Sequence, residues 1–188
     1  MYKKMEKILK DGEIGDFKLE HFKINSNDFF AKLQNIEPGE YVKLTQNGEV
    51  VMSNTEMEKR TNTEFVKHAH GNVLIGGLGI GMIILAIQEK ENVKSIIILE
   101  KNQEVINLVK NQLPLNEKVK IVNADVFTYE PLEEFDTIYM DIWNYINQDV
   151  YYNEMIPLMD YYSQYLVDDE TTYLDCWCKY EAMYGIRI

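Results

Sequence analysis

The chain has 188 residues, 46% of them hydrophobic and 12% aromatic, a composition typical of one folded domain and not of a disordered or fibrous chain. Its formal net charge of −12 at pH 7 opposes contact with phosphate backbones, so we expect that it does not bind nucleic acid. No apolar run approaches the roughly 20 residues that span a bilayer, and the N-terminus lacks the features of a secretory signal, so we expect a cytoplasmic protein without membrane contact.

Residues 1–70 predict a small α+β segment in front of the main domain. Helical spacing of apolar side chains predicts a short opening helix that ends at Gly12, and an extended segment is expected from Phe17 to Ile24. Ser26 is the expected N-cap of a further short helix. The apolar residues of the opening helix are Met1, Met5, Ile8 and Leu9.

A β-hairpin and a helix complete this lead-in. Asn47-Gly48 lies between β-prone residues 41–44 and 50–52, and both turn residues tolerate the positive φ that a tight hairpin requires. Thr55 and Glu58 then have the spacing of a capping box, which predicts a helix that runs to about His70.

From Asn72 onward, strands and helices alternate, which is typical of a doubly wound and mostly parallel sheet. Residues 71–188 therefore predict a Rossmann-like α/β domain with about five strands. The expected strands are residues 73–75, 95–99, 119–122, 137–140 and 173–177. Because the chain ends soon after the fifth strand, we expect a C-terminally shortened sheet with an open edge through which copies can associate.

A glycine-rich turn joins the first of these strands to the following helix. Its sequence is Asn72-Val-Leu-Ile-Gly76-Gly77-Leu-Gly79-Ile-Gly81. Such a turn lets the backbone approach a ligand closely, and the start of the helix offers free N–H groups, so the segment predicts a nucleotide-like ligand. Close packing of a strand on a helix also favours small residues, and this purely structural explanation remains open.

Acidic residues follow the next two strands. Glu100 ends the second strand, where a carboxylate can accept the hydrogen bonds of ribose hydroxyls. Asp125 follows the third strand, where it can accept the adenine amine while Val126 helps to flank the ring. The G-x-G-x-G spacing departs from the G-x-G-x-x-G of dinucleotide sites, which favours S-adenosylmethionine (SAM) over a nicotinamide cofactor.

The fourth strand ends at Asp141, followed by Trp143. Ligands of such sheets bind outside the carboxyl ends of the strands, so both residues are candidates for the reaction centre. We expect Asp141 to orient the acceptor, and Trp143 either to stack on a planar substrate or to pack in the core. Cys176 and Cys178 supply too few ligands for a metal site, so we predict reduced thiols and no metal.

Residues of about 40 to 180 resemble class I SAM-dependent methyltransferases, and most of all small, often phage-encoded proteins described as spermidine-synthase-like. The resemblance is carried by residues 51–56, by the glycine turn and by the tip from Asp141 to Trp143. It implies a Rossmann-like sheet, SAM or decarboxylated SAM as the cofactor, and Glu100 and Asp125 as the ribose and adenine contacts.

The chain departs from aminopropyltransferases of that family, which carry an acid inside the glycine turn and two acids at the fourth strand. Leu78 and Ile80 occupy the turn here, and Asn144 stands where a second acid is sought. Since a dicationic polyamine needs more than one buried anion, we expect methyl transfer to a small molecule or a protein ahead of aminopropyl transfer. A non-catalytic SAM-binding protein and a SAM-consuming lyase are alternatives, and a nicotinamide-linked oxidoreductase is disfavoured.

Overall fold

The computed structural model describes residues 2–33 and 36–188, which form an antiparallel and a parallel β-sheet. The antiparallel sheet has the order β1-β2-β3-β4. Its strands are β1 (Gly12–Ile14), β2 (Phe17–Ile24), β3 (Gly39–Gln46) and β4 (Glu49–Ser53). The predicted hairpin is confirmed, with Asn47 and Gly48 at φ 51° and 86° between β3 and β4.

The short helices of the N-terminal region differ from their prediction. A single 3-10 turn, Met5–Lys7, takes the place of the opening helix, whose Met1 lies outside the described residues. Helix α1 spans Phe29–Leu33, and its cap is Asp28 rather than Ser26, because Asp28 Oδ1 accepts a hydrogen bond from Ala31 N at 2.9 Å.

The helix predicted from Thr55 to about His70 is broken into α2 (Glu56–Thr61) and α3 (Thr63–His68). Asn62 lies at the break, where its Nδ2 donates to the carbonyl of Glu58 and its Oδ1 accepts from Tyr139. The capping box does not form, since the hydroxyl of Thr55 pairs with Ser53 Oγ at 3.0 Å. The side-chain hydrogen bonds of Asn62 and Thr55 thus compete with the backbone pattern of a single continuous helix.

The parallel sheet confirms the predicted Rossmann-like α/β fold. Its order is β7-β6-β5-β8-β9, with every neighbouring pair parallel. The strands are β5 (Gly71–Gly76), β6 (Val93–Glu100), β7 (Val119–Asn123), β8 (Thr137–Met140) and β9 (Tyr173–Cys176). From β5 the chain first adds β6 and β7 on one side, and it then crosses to add β8 and β9 on the other side. Such a reversal of strand order opens a crevice at the carboxyl ends of the two strands where it occurs, here β5 and β8.

Short helices connect and flank the parallel strands. They are α4 (Met82–Ile87), α5 (Gln103–Val109), α6 (Gln148–Val150), α7 (Ile156–Ser163) and α8 (Lys179–Tyr184), with a 3-10 turn at Lys110–Gln112 and a π-helical segment at Tyr151–Met155 that joins α6 to α7. Among the described residues, no helix has the length and apolar character needed to cross a bilayer.

The two cysteines differ in backbone conformation. Cys176 ends β9, whereas Cys178 follows the strand with φ 49°, and both thiols are free. Within residues 2–33 and 36–188, no group of three or more His, Cys, Asp or Glu side chains is arranged to hold a metal ion.

A single apolar cluster joins the N-terminal sheet to the parallel sheet. It contains Leu19 and Leu44 from β2 and β3 together with Ile75 and Ile98 from β5 and β6, each at most 1% exposed. Helix α5 also packs against β1, and a Cβ at Gly12 would lie 3.1 Å from Leu108. The N-terminal sheet is therefore held over the first half of the parallel sheet.

His21 ties the N-terminal residues 2–11 to β2. Its Nδ1 lies 2.6 Å from Asp11 Oδ1, and its Nε2 lies 2.9 Å from the carbonyl of Glu6. The hydrogen bond to Asp11, and then that to Glu6, raise the pKa of His21 above its usual 6.5. The hydrogen bonds of protonated His21 therefore stabilise the fold below about pH 6.5, and this stabilisation is lost as the pH rises through the higher pKa of His21 in the folded state.

We expect His21→Gln to lower the melting temperature at about pH 6, with the difference from wild type disappearing toward about pH 9. The loss should amount to a few degrees at most, because the side chains of His21 and Asp11 are 35% and 65% exposed. Thermal unfolding across this pH range measures it. Asp11→Asn should cause the same pH-dependent loss, and equal losses at both ends of the range would contradict the assignment.

Candidate functional site

A cavity lies at the carboxyl ends of the parallel strands, beneath the N-terminal sheet. Its non-protein space is about 910 Å³ when the open solvent at its mouth is included. The N-terminal region contributes Phe17, Leu44, Gln46, Val51, Met52 and Glu58. The rest of the wall consists of Gly77, Gly79, Leu99–Asn102, Val105, Ala124–Phe127, Asp141–Asn144 and Trp177.

The glycine turn forms the floor of this cavity. Gly77 has φ 96°, and a Cβ there would lie 2.2 Å from the carbonyl oxygen of Asp141. A Cβ at Gly79 would lie 2.3 Å from Met52 Sδ on β4. Only glycine permits this approach of the turn to both neighbours. Both glycines line the cavity, and their role in binding a cofactor stays a prediction.

The other two predicted glycines lie outside the cavity wall. A Cβ at Gly76 would meet Met140 Sδ at 2.6 Å and Val126 Cγ1 at 2.9 Å, so Gly76 serves the packing of β5. Gly81 is the N-cap of α4 and packs against Leu113. The packing explanation for small residues therefore applies at these two positions.

Glu100 lines the cavity and holds the glycine turn in place. The residue is 7% exposed, and its Oε2 accepts from Leu78 N at 3.0 Å. Its Oε1 accepts from the backbone N and the Nδ2 of Asn102 at 2.8 and 3.1 Å. A carboxylate offers about four acceptor positions, so these three donors leave room for a hydroxyl of a ligand.

Asp125 and Val126 lie together on the loop after β7, as expected for a shared site. Asp125 Oδ1 accepts from Phe127 N at 2.9 Å, which fixes the turn, and Val126 is 4% exposed. The fully buried Tyr162 of α7 donates to the carbonyl of Val126 at 2.8 Å. This tyrosine supports the loop from behind, a role that the sequence did not indicate.

Asp141 lines the cavity directly after the end of β8. Its backbone N donates to the carbonyl of Gly76 at 2.8 Å. The residue keeps some exposure toward the cavity, but protein surrounds its carboxyl, and this burial raises the pKa to about 7. Asp141 is therefore partly protonated at neutral pH, as suits a group that exchanges protons.

Glu58 is a second acid in the same cavity, and sequence reasoning missed this role. It is 6% exposed, and Ser53 N donates weakly to its Oε1 at 3.4 Å. Burial first, and then the charge of Asp141, raise its pKa to about 8. The capping-box spacing offered a local explanation for Glu58, so no signal in the sequence directed attention to the cavity.

Two hydrogen bonds, one buried and one partly buried, fix the junction between α3 and α2, the helix that carries Glu58. Tyr139 of β8 donates to Asn62 Oδ1 at 3.0 Å, and Trp177 Nε1 donates to Thr61 Oγ1 at 3.0 Å. Both donors come from the ends of the strands that border the cavity. They hold the helix break against β8, and thereby hold Glu58 close to Asp141.

Trp143 packs in the core and also lines the cavity, while stacking on a planar substrate stays a prediction. Its core neighbours form the apolar cluster behind β8, and it is 9% exposed. Its Nε1 donates to Glu154 Oε2 at 2.7 Å, which fixes the plane of the ring. Trp177 also lines the cavity, so two indole rings border the end that holds the acids.

No protein-family model matches the sequence, and comparison with curated proteins finds no match. Solved structures do match. Spermidine synthase from Thermotoga maritima has a TM-score of 0.54 at 16% identity, over 86% of this chain and 53% of that chain. The chain has the Rossmann-like fold of this synthase.

Two methyltransferases match with lower scores. The N-methyltransferase NodS from Bradyrhizobium japonicum WM9, in complex with S-adenosyl-L-homocysteine, has a TM-score of 0.45 at 16% identity, over 60% of this chain and 58% of that chain. The plantazolicin methyltransferase BpumL has a TM-score of 0.41 at 17% identity, over 58% and 40%. This chain therefore spans between 40% and 58% of these two structures.

The raised pKa values of Glu58 and Asp141 make folding depend on pH. Because the folded state binds protons that the unfolded state releases, stability falls as the pH rises from about 4 toward about 8. We expect Glu58→Gln to melt several degrees above wild type near pH 8.5 and to lose this advantage near about pH 5. Thermal unfolding against pH measures the difference.

The exposed Glu133 provides the matched control, because Glu133→Gln should not change the pH profile. In addition, Asp141→Asn should lower the pKa of Glu58, since the charge of Asp141 helps to raise it. Carboxyl carbon NMR titration observes this directly. A Glu58 pKa that is unchanged in Asp141→Asn would show that the two acids do not interact.

Proposed function

We propose that the chain is a SAM-dependent transferase that acts on an amine. The observation that carries this proposal is that one cavity is lined by Glu100 and Asp125, which we assign to a nucleoside, and by the buried acids Glu58 and Asp141. We call the first pair the nucleoside end and the second pair the acidic end. The glycine turn lines the same cavity, at the carboxyl edge of β5 where sheets of this kind bind ligands.

The residues at the nucleoside end match the groups of an adenosine. Glu100 retains acceptor capacity, which we assign to a ribose hydroxyl, and we assign the adenine amine to Asp125, which lines the same cavity. Val126 and the half-exposed Phe127 provide apolar surface on the same loop. Bound SAM supplies an electrophilic carbon on a sulfonium, which a nucleophile attacks in line.

The acidic end fits an acceptor that carries positive charge. Two carboxyls in a buried cavity are costly when both are ionised, and an ammonium group offsets that cost better than a neutral nucleophile does. Asp141, with its pKa raised to about 7, is placed to orient the amine and to take the proton that the amine must lose before it attacks.

The acidic pair also supports aminopropyl transfer from decarboxylated SAM as a second candidate. The argument against that reaction was the absence of a second buried acid near Asp141, because Asn144 occupies the expected position. Glu58 supplies this acid from α2, in a different part of the chain. Methyl transfer and aminopropyl transfer use the same two ends of the cavity and differ in the group that leaves the sulfur.

Calorimetry with SAM, decarboxylated SAM, S-adenosylhomocysteine and NADH tests the nucleoside end. We expect micromolar binding of SAM or its decarboxylated form, with affinity falling about tenfold or more in Glu100→Gln because a charged acceptor of the ribose is lost. The stronger of the two ligands identifies the transferred group. Asp149→Asn, on the exposed surface, should bind like wild type. Binding of NADH alone would overturn the proposal.

The acidic end can be tested with 1,4-diaminobutane on protein saturated with S-adenosylhomocysteine. We expect Glu58→Gln and Asp141→Asn each to weaken binding of this dication by about tenfold or more, because a charge-assisted hydrogen bond is lost. Glu133→Gln is the control. In Glu58→Gln and Asp141→Asn, the rate at which a labelled group passes from SAM to the diamine should fall together with the affinity for the diamine. SAM binding without any transfer would favour the non-catalytic alternative.

A further inference from the structure

The loop that follows β8 is anchored at each of its first three residues. A Cβ at Gly77 would lie 2.2 Å from the carbonyl oxygen of Asp141 and 3.6 Å from Cγ2 of Ile142, so both residues lie against the glycine turn. Trp143 has a different anchor, since its Nε1 donates to Glu154 Oε2 at 2.7 Å. The glycine turn therefore fixes the start of this loop, and Glu154 fixes the indole.

Glu154 lies on a π-helical segment that is itself held by the core. The segment spans Tyr151–Met155, and π-helical turns are rare and often occur at functional sites. Val150 before it and Met155 at its end are 3% and 0% exposed, and both belong to the same apolar cluster as Trp143. The carboxylate that accepts from the indole is thus carried by a rigid element.

The indole that Glu154 holds is part of the cavity wall. Trp143 lines the same cavity as Glu58 and Asp141 and keeps 9% exposure. Among the described residues that line this cavity, four are acidic and one, Lys101, is basic. A cation within about 6 Å of the centre of an aromatic ring is attracted to its face, most strongly for tryptophan and more so when water is excluded. A cationic ligand is therefore favoured both by the acids and by the indole.

On the basis of the proposed function, we propose that the ring of Trp143 contacts the ammonium group of the acceptor, and that Glu154 is the positioning residue that holds the ring for this contact. The carboxyls of Glu58 and Asp141 supply charge and hydrogen-bond acceptors, whereas the ring supplies an attraction that depends on the cation lying over its face. Without the oxygen of Glu154, the indole N–H loses its partner and the ring can leave this position. Glu154 does so without lining the cavity itself.

The test measures binding of 1,4-diaminobutane, on protein saturated with S-adenosylhomocysteine, and binding of S-adenosylhomocysteine alone. Glu154→Met removes the acceptor at similar side-chain length, so it should weaken diamine binding about tenfold and leave S-adenosylhomocysteine binding within about twofold of wild type. Glu154→Gln keeps an oxygen that can accept from the indole, so it should restore most of the diamine affinity. Asp149→Met is the matched control on the exposed face of α6, and it should bind both ligands like wild type.

Trp143→Phe determines whether Glu154 acts through the indole. Phenylalanine is a weaker cation–π partner and has no N–H, so this variant should also weaken diamine binding. Adding Glu154→Met to Trp143→Phe should then cause no further loss, because the contact that Glu154 serves is already absent. Losses that add in the double variant would show that Glu154 acts by another route.

The remaining outcomes separate this inference from the transferase proposal. Unchanged diamine binding in Glu154→Met, equal weakening of both ligands, or no rescue by Glu154→Gln removes the positioning role and leaves the transferase proposal standing. If Glu154→Met does not fold, Trp143→Phe decides alone, because unchanged diamine binding in that variant overturns the contact with the ring. If wild type binds no diamine, the amine site fails together with the role of Trp143, whereas SAM binding reports separately on the nucleoside end.

Discussion

The arrangement of the site depends on the close approach of two backbones at the ends of the adjacent strands β5 and β8. Gly77 leaves no space for a Cβ beside the carbonyl oxygen of Asp141, and Asp141 N donates in return to the carbonyl of Gly76. The glycine turn and the acidic strand end therefore behave as one rigid unit. Two ligands bound on either side of this contact are held next to each other, which is the main requirement of a group transfer.

A second constraint is the free energy of burying two acids in one cavity. With burial as its largest cause, the pKa of Glu58 rises to about 8 and that of Asp141 to about 7, so the pair retains protons at neutral pH. The bonds from Tyr139 to Asn62 and from Trp177 to Thr61 keep α2 and α3 against β8 in spite of this cost. The helix break is thus part of the site, since it directs Glu58 toward Asp141.

Local patterns were sufficient to predict the parallel sheet, because its strands are apolar runs and its ligand turn is marked by glycines. They also placed Glu100, Asp125 and Asp141 at strand ends, where topology alone brings residues together. Glu58 was not predictable in this way. It shares the cavity with Asp141 because distant parts of the chain pack together, and it had a plausible local role in a capping box. The helix break at Asn62 likewise depends on Tyr139, a partner that helix periodicity does not reveal.

Under the proposed function, the protons on the acidic pair link the binding of an amine acceptor to its deprotonation. An empty site holds protons because two neighbouring carboxylates without a counterion are unfavourable in a buried cavity. A bound ammonium provides the positive charge that these protons supplied, so its arrival lowers both carboxyl pKa values and releases a proton to solvent. The carboxylate that remains is then able to accept the proton of the amine. A neutral alcohol provides no such charge, and it leaves the pair protonated. The same electrostatic exchange that favours a cationic acceptor therefore creates the base that its reaction needs.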